Sequence, residues 1–245
     1  GIAVVFLFVT VIGYVGIKNY ATRYQMEQTE TFSRAQIKEI ESAFQAAEDQ
    51  QQTLARNLSI QFDDPTPSQA DVLFRSLMQL DSDGAWRTPL LGFDANNKSS
   101  LFMSVETPVT SRTVQQVLTI ETLLNQFGPV SKNRFESTWV QLSNGIVGIY
   151  APNYAGYVQN MSPRIEAEKE PWFVVAMPAH NPAKVMVWTD LYFDPQAAQW
   201  MISAVSPIYQ NNKFIGVVGN DLAISVFFNR AIKQKLLDIY NFIIS

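Results

Sequence analysis

Two tryptophans, a glutamate and two aspartates carry most of the chemistry that this sequence can offer, within 52 residues of one another. Glu170, Trp172 and Phe173 follow the acidic run "EAEKE", Trp188 and Asp190 lie in "VMVWTDL", and Asp221 closes "KFIGVVGND". Carboxylates beside indole faces suit a cation, through charge-assisted hydrogen bonds and cation–π contact. Each residue also has a plain structural use. Glu170 can favour a helix N-terminus beside Pro171, the tryptophans can fill a core, Asp221 can cap a turn and Asp190 can bond a loop. Asp190 with Asp194 could also serve acid–base work in a membrane-anchored hydrolase, although nothing nearby activates a nucleophile.

Composition removes several other chemistries. The chain has 245 residues, no cysteine and one histidine, His180, in the Pro-flanked loop "MPAHNPAK". Thiolate catalysis, disulfides and Cys-based zinc sites are therefore excluded, and a Ser-His-Asp triad or His-rich metal site has little to stand on. No cofactor is expected. A net charge of −4 without a Lys/Arg cluster argues against nucleic acid. With 47% apolar residues the chain can bury a core of its own.

The elements that must position these residues are legible in outline. Residues 1–19 open with "GIAVVFLFVTVIGYVGI", an apolar run near the lower limit for a spanning helix, and are expected to be a truncated membrane anchor. Residues 20–62 read as one long helix. Its apolar positions Ile37, Ile40, Phe44, Ala47, Leu54 and Leu58, with Gln51 among them, alternate spacings of three and four. That stripe can pack on its own domain or form a dimer seam. "DDPTPSQ" ends the helix. Beyond it come a short amphipathic helix at "ADVLFRSLMQL", extended pieces at "TPLLGFDANN" and "SLFMSVET", and a helix at "SRTVQQVLTIETLLNQFG" that Gly128 could cap. Asn144-Gly145 and Asn211-Asn212 mark two hairpins. In the last strand Ile215, Val217, Gly219 and Asp221 share one face, as do Trp188 and Asp190 in theirs, and Pro171 suits the first turn of a helix.

In this order of elements the chain resembles the extracytoplasmic CACHE sensor domains, particularly the distal module of double-CACHE receptors. The likeness covers about residues 20–235 and rests on "PWF", similar to the family's Arg-x-Trp-Tyr segment, on "WTD", similar to its Tyr-x-Asp, and on the hairpin ending "GVVGND". It implies an α+β fold, a long N-terminal helix plus a PAS-like antiparallel sheet flanked by helices. It further implies a distal ligand-binding module over 63–236, a following module from 237–245, a homodimer in the full receptor, and a small-molecule ligand sensed outside the cytoplasmic membrane. Members that bind amino acids clamp the carboxylate with the Arg and hold the ammonium with two Asp residues. Here Glu170 stands at the Arg position, Phe173 and Trp188 replace tyrosines, and Asp190 and Asp221 match. A glutamate repels a carboxylate, so the resemblance implies an amine or polyamine rather than an amino acid, without enzymatic activity. A pilin-like structural subunit fits less well, since the fifth position of that family's mature chain is a glutamate and here is Val5.

Overall fold

The computed structural model describes residues 18–19, 31, 34–35, 37–38 and 41–225. The chain divides into two units, Gly1–Ala43 and Phe44–Ser245. The described residues of the first are helical. No helix among the described residues is long and apolar enough to cross a membrane; the apolar run expected to do so, the anticipated seam position Ile40 and the expected start of a further module at 237–245 lie outside them.

The second unit is built on an antiparallel sheet. Its strands are β1 (Gln79–Leu80), β2 (Trp86–Arg87), β3 (Ser100–Met103), β4 (Ser137–Leu142), β5 (Ile146–Tyr150), β6 (Val187–Trp188), β7 (Tyr192–Asp194), β8 (Gln199–Gln210) and β9 (Lys213–Ala223). They pair in the order β1-β2-β3-β5-β4-β9-β8-β6, with β7 also on β8. Both anticipated hairpins are present. Gly145 takes φ +85° in the β4–β5 turn, and Asn211 and Asn212 take φ 48° and 61° in the β8–β9 turn, as a two-residue hairpin of matching twist requires.

Because side chains alternate across a strand, the sheet has two apolar faces. One buries Leu101, Met103, Val140, Leu142, Ile146, Ile208 and Val218 under helices α1 (residues 44–61), α2 (Ala70–Leu77) and α3 (Ser111–Ser131). The stripe of α1 lies against it: Ala47, Gln51, Leu54 and Leu58 are each fully buried within this unit. Gln51 is the polar exception. Its amide donates to the Asn220 carbonyl on β9, and the Asn220 amide donates to Thr138 on β4 at 2.9 Å, so one polar chain crosses the apolar layer between helix and sheet.

Helix α3 starts on a capping box in which Thr110 and Thr113 bond reciprocally. It does not stop at Gly128. The helix runs on to Ser131, and Gly128 is there for packing: a Cβ at that position would sit 2.2 Å from the Tyr150 ring. The expected extended piece at 88–97 is instead a run of turns, in which Asp94 accepts from the Asn96 backbone.

Candidate functional site

The opposite face of the sheet presents Phe102, Trp139, Val147, Ile149, Val205 and Val217, covered by the connection between β5 and β6. Within that connection the short helix α4 (Pro171–Val174) begins with proline at its first turn, where the missing N–H is no loss. It delivers Trp172 towards the sheet and Phe173 into the core. Another part of the connection is fastened by Arg87 of β2, whose buried guanidinium donates to the Val158 and Met161 carbonyls, each at 2.9 Å, and pairs with Asp81 and Asp83 at 2.8 and 2.9 Å. This holds Tyr157 and Met161 over the sheet.

Between cover and sheet lies a cavity of about 50 Å³, lined by Trp139, Trp172, Tyr157 and Tyr192, by Val147, Ile149 and Met161, and by Gln141, Asp194 and Asp221. A water needs roughly 10–15 Å³, so the space suits a few waters or one small molecule. The lining contains no Lys, Arg or His.

Asp221 is the most heavily engaged group. Its two oxygens accept from Ser137, from Trp139 Nε1 at 2.8 Å, from Ser203 at 2.6 Å and from Tyr192 at 3.4 Å. Register explains this convergence, because Ser137 of β4 and Ser203 of β8 are both paired opposite Asp221. Burial nevertheless pushes its carboxyl above the ordinary range. The hydrogen bonds oppose that shift and the nearby Asp194 charge adds to it. Asp194 ends β7 and folds its Oδ1 onto the backbone N–H groups of Gln196 and Ala197, at 2.7 and 3.0 Å. Its Oδ2 is reached by the Tyr157 hydroxyl at 3.5 Å. Burial also raises Tyr157 well above its usual value, helped by Asp194, Asp221 and Glu170.

The sequence-expected residues separate into those at the cavity and those away from it. Trp172 lines it, half-buried, with its ring 5.2 Å from Tyr192 and its Nε1 donating to Gln141 at 2.9 Å. Asp221 lines it. Glu170 is not among the lining residues: half-buried, it makes no capping bond to α4, and burial followed by the Asp194 charge raises its carboxyl. Phe173 is 2% exposed and packs edge-on against Phe214, in the core rather than on the cavity. Trp188 packs on Phe44 of α1, ring centroids 4.3 Å apart. Asp190 is exposed and does not line the cavity.

The expected common face of Trp188 and Asp190 fails for a simple reason. Strand β6 ends at Trp188, and Thr189 then turns inward to bond Ser203, so the period of two is lost. The second acid at the cavity is Asp194, with Tyr192 beside it. Tyr192-Phe193-Asp194 is a literal Tyr-x-Asp, a closer match than "WTD" four residues upstream, and that spelling was the available signal. Asp190 and Asp194 do not form the carboxylate pair that a hydrolase would need, since one is in solvent and the other in a buried turn.

Residues 115–229 match the family model described as the methyl-accepting chemotaxis protein-like first PDC sensor domain. Over this segment the chain is similar to PDC-type sensor domains, of the CACHE kind. Three solved ligand-binding domains of chemoreceptors illustrate what else the chain is similar to. They are Pseudomonas fluorescens CtaA with L-serine (21% identity, 46% of this chain and 44% of that one, TM-score 0.37), Pseudomonas aeruginosa PAO1 PctB with L-Arg (21%, 43% and 41%, 0.35) and Campylobacter jejuni Tlp3 with L-norvaline (22%, 44% and 43%, 0.33). The chain spans less than half the length of each of these domains. Comparison with curated proteins gives no match. All the residues that line the cavity described above lie within the matched segment.

Proposed function

We propose that this domain is the extracytoplasmic sensing region of a transmembrane signalling receptor, anchored through its N-terminal helix and homodimeric in the full protein, and that its ligand is a small organic amine. The observation that carries the reading is the cavity's charge. Asp194 and Asp221 are both buried at it, Glu170 lies within reach of the Asp194 charge, and no basic side chain lines it. Buried carboxylates that lack a cationic partner are costly, and an ammonium supplies the missing charge. Trp139, Trp172 and Tyr192 line the space, and a desolvated cation over an aromatic ring face gains about 2 kcal/mol.

A ligand carboxylate would find nothing comparable. The position that resembles the family's carboxylate-clamping Arg is Glu170, whose carboxyl is raised by burial and then by the nearby Asp194 charge. An amino acid therefore loses one of its two anchors here, and an amine loses none.

The output follows from where Asp221 sits. Its neighbour Asn220 points through the sheet to Gln51 of α1, so a ligand that draws on Asp221 acts one residue away from the helix's polar contact. Such a ligand shifts the helix only by its different affinity for two helix arrangements.

Thermal unfolding and titration calorimetry against alkylamines, diamines, polyamines, amino acids and organic acids test the proposal. A ligand at 100 times its dissociation constant adds about 2.7 kcal/mol of stability. Stabilisation by amines supports the reading. Tight binding of an amino acid that disappears when its carboxylate is amidated overturns it.

A further inference from the structure

Gln141 sits on β4, four residues beyond Ser137 and on the same face of the sheet. The two positions are about 13 Å apart along the strand, a span that their side chains narrow. Ser137 is paired opposite Asp221, so the cavity has an acid pole at one end of this row and Gln141 at the other, with Trp139 between them.

The orientation of the Gln141 amide is decided by chemistry. An indole N–H can only donate, so the atom that meets Trp172 Nε1 at 2.9 Å must be the carbonyl oxygen. The amide nitrogen is then turned away from Trp172, and it donates to no acceptor among the described residues although Gln141 is only 5% exposed. Two N–H donors on a residue that lines the cavity are thus left without a protein partner and open to an acceptor that a ligand brings.

We infer that Gln141 reads a second polar group on the ligand, an oxygen that accepts from its amide nitrogen, and that the ligand is therefore an amine carrying a neutral oxygen, such as an amino alcohol. This rests on the amine reading of the acid pole. The oxygen is neutral because Glu170, Asp194 and Asp221 make the surroundings negative and no cation lines the cavity to hold an anion. It is an acceptor because the Gln141 amide nitrogen, turned away from Trp172, can only donate. Discrimination against simple alkylamines and diamines is the consequence. Trp172 acts here as a positioning residue as well as a wall, since its N–H sets which way the amide faces.

Calorimetry on the whole chain with three matched series, linear amino alcohols, alkylamines and diamines of equal chain length, tests this. The wild type should prefer the best amino alcohol over its alkylamine counterpart by roughly 2- to 12-fold, the net size of one hydrogen bond. Gln141→Leu should reduce that ratio towards one. Trp172→Phe, which frees the amide to turn round, should raise relative diamine affinity, and it keeps the inference testable should Gln141→Leu fail to fold. A wild-type ratio near one, or a ratio unchanged in Gln141→Leu, overturns the role of Gln141 while leaving amine binding in place. If no series binds at all, the amine reading of the acid pole falls and this inference falls with it.

Discussion

Replacing Asp194 with asparagine removes one negative charge from the cavity and very little else. The carboxylate is 3% exposed and divides its work between its two oxygens. Oδ1 accepts from the Gln196 and Ala197 backbones at 2.7 and 3.0 Å and so closes the β7–β8 turn, and Oδ2 faces the cavity beside the Tyr157 hydroxyl. An asparagine carbonyl can keep both backbone bonds. They pass from charge-assisted to neutral, a loss of about 1 kcal/mol, against which Asp221 is relieved of a like charge that raises its carboxyl. Net stability should thus move by no more than ~2 kcal/mol. Binding should suffer far more, because truncating one partner of a buried charged pair costs about 2–5 kcal/mol, or roughly 30-fold to several thousand-fold in Kd. Asp190→Asn is the matched control. Its carboxylate is exposed, so both stability and affinity should stay within about 0.5 kcal/mol of the wild type. Calorimetry with the tightest amine, alongside thermal unfolding of both variants, gives the answer. Unchanged affinity in Asp194→Asn, or an equal loss in Asp190→Asn, would refute the placement of the acid pole.

Two further outcomes follow from the same geometry. Gly219→Ala places a methyl 2.2 Å from the Trp139 indole, which must move. Overpacking of about 1–3 kcal/mol and displacement of the donor to Asp221 should lower Tm and weaken amine binding together, and wild-type unfolding and affinity would show that Trp139 does not sit where described. Acidification should act in opposite directions on the two properties. Asp221 and Glu170 have folded-state values raised above their unfolded ones, so their contribution to stability is present below the unfolded range and lost as pH rises through the raised folded range. Lowering pH through that raised range therefore favours the ligand-free fold at these two groups, while protonation weakens amine binding. Amine affinity that grows towards acid pH in calorimetry would contradict the expectation for binding.

Local chemistry was legible where the residues concerned answer to their neighbours in the chain. The turns at Asn144-Gly145 and Asn211-Asn212 follow from residues that tolerate positive φ, and Pro171 starts α4 because it is short of one N–H. The stripe from Ala47 to Leu58 announces a buried helix face by period alone. Asp221 was placed correctly among apolar neighbours on its strand because β9 is long enough for the period of two to hold.

What tertiary structure decided is which acids meet. Asp190 and Asp194 are four residues apart in the same acid-and-aromatic neighbourhood, and nothing in composition ranks them; the end of β6 at Trp188 and the antiparallel pairing of β7 with β8 send one to solvent and the other to the cavity. Trp188 and Trp172 are likewise equals in sequence, yet one packs on α1 and the other closes the cavity, according to which face of the sheet each element reaches. Gln141 could not be found by pattern at all. A glutamine in a buried strand looks like any other polar interruption until an indole from α4, 31 residues on, bonds its carbonyl and leaves its nitrogen without a protein partner. The sequence determined the elements through local sterics and periodicity, and the long-range strand register determined the site, because a pocket is made of side chains from β4, β5, β7, β9 and the cover that only the assembled sheet brings within reach of one another.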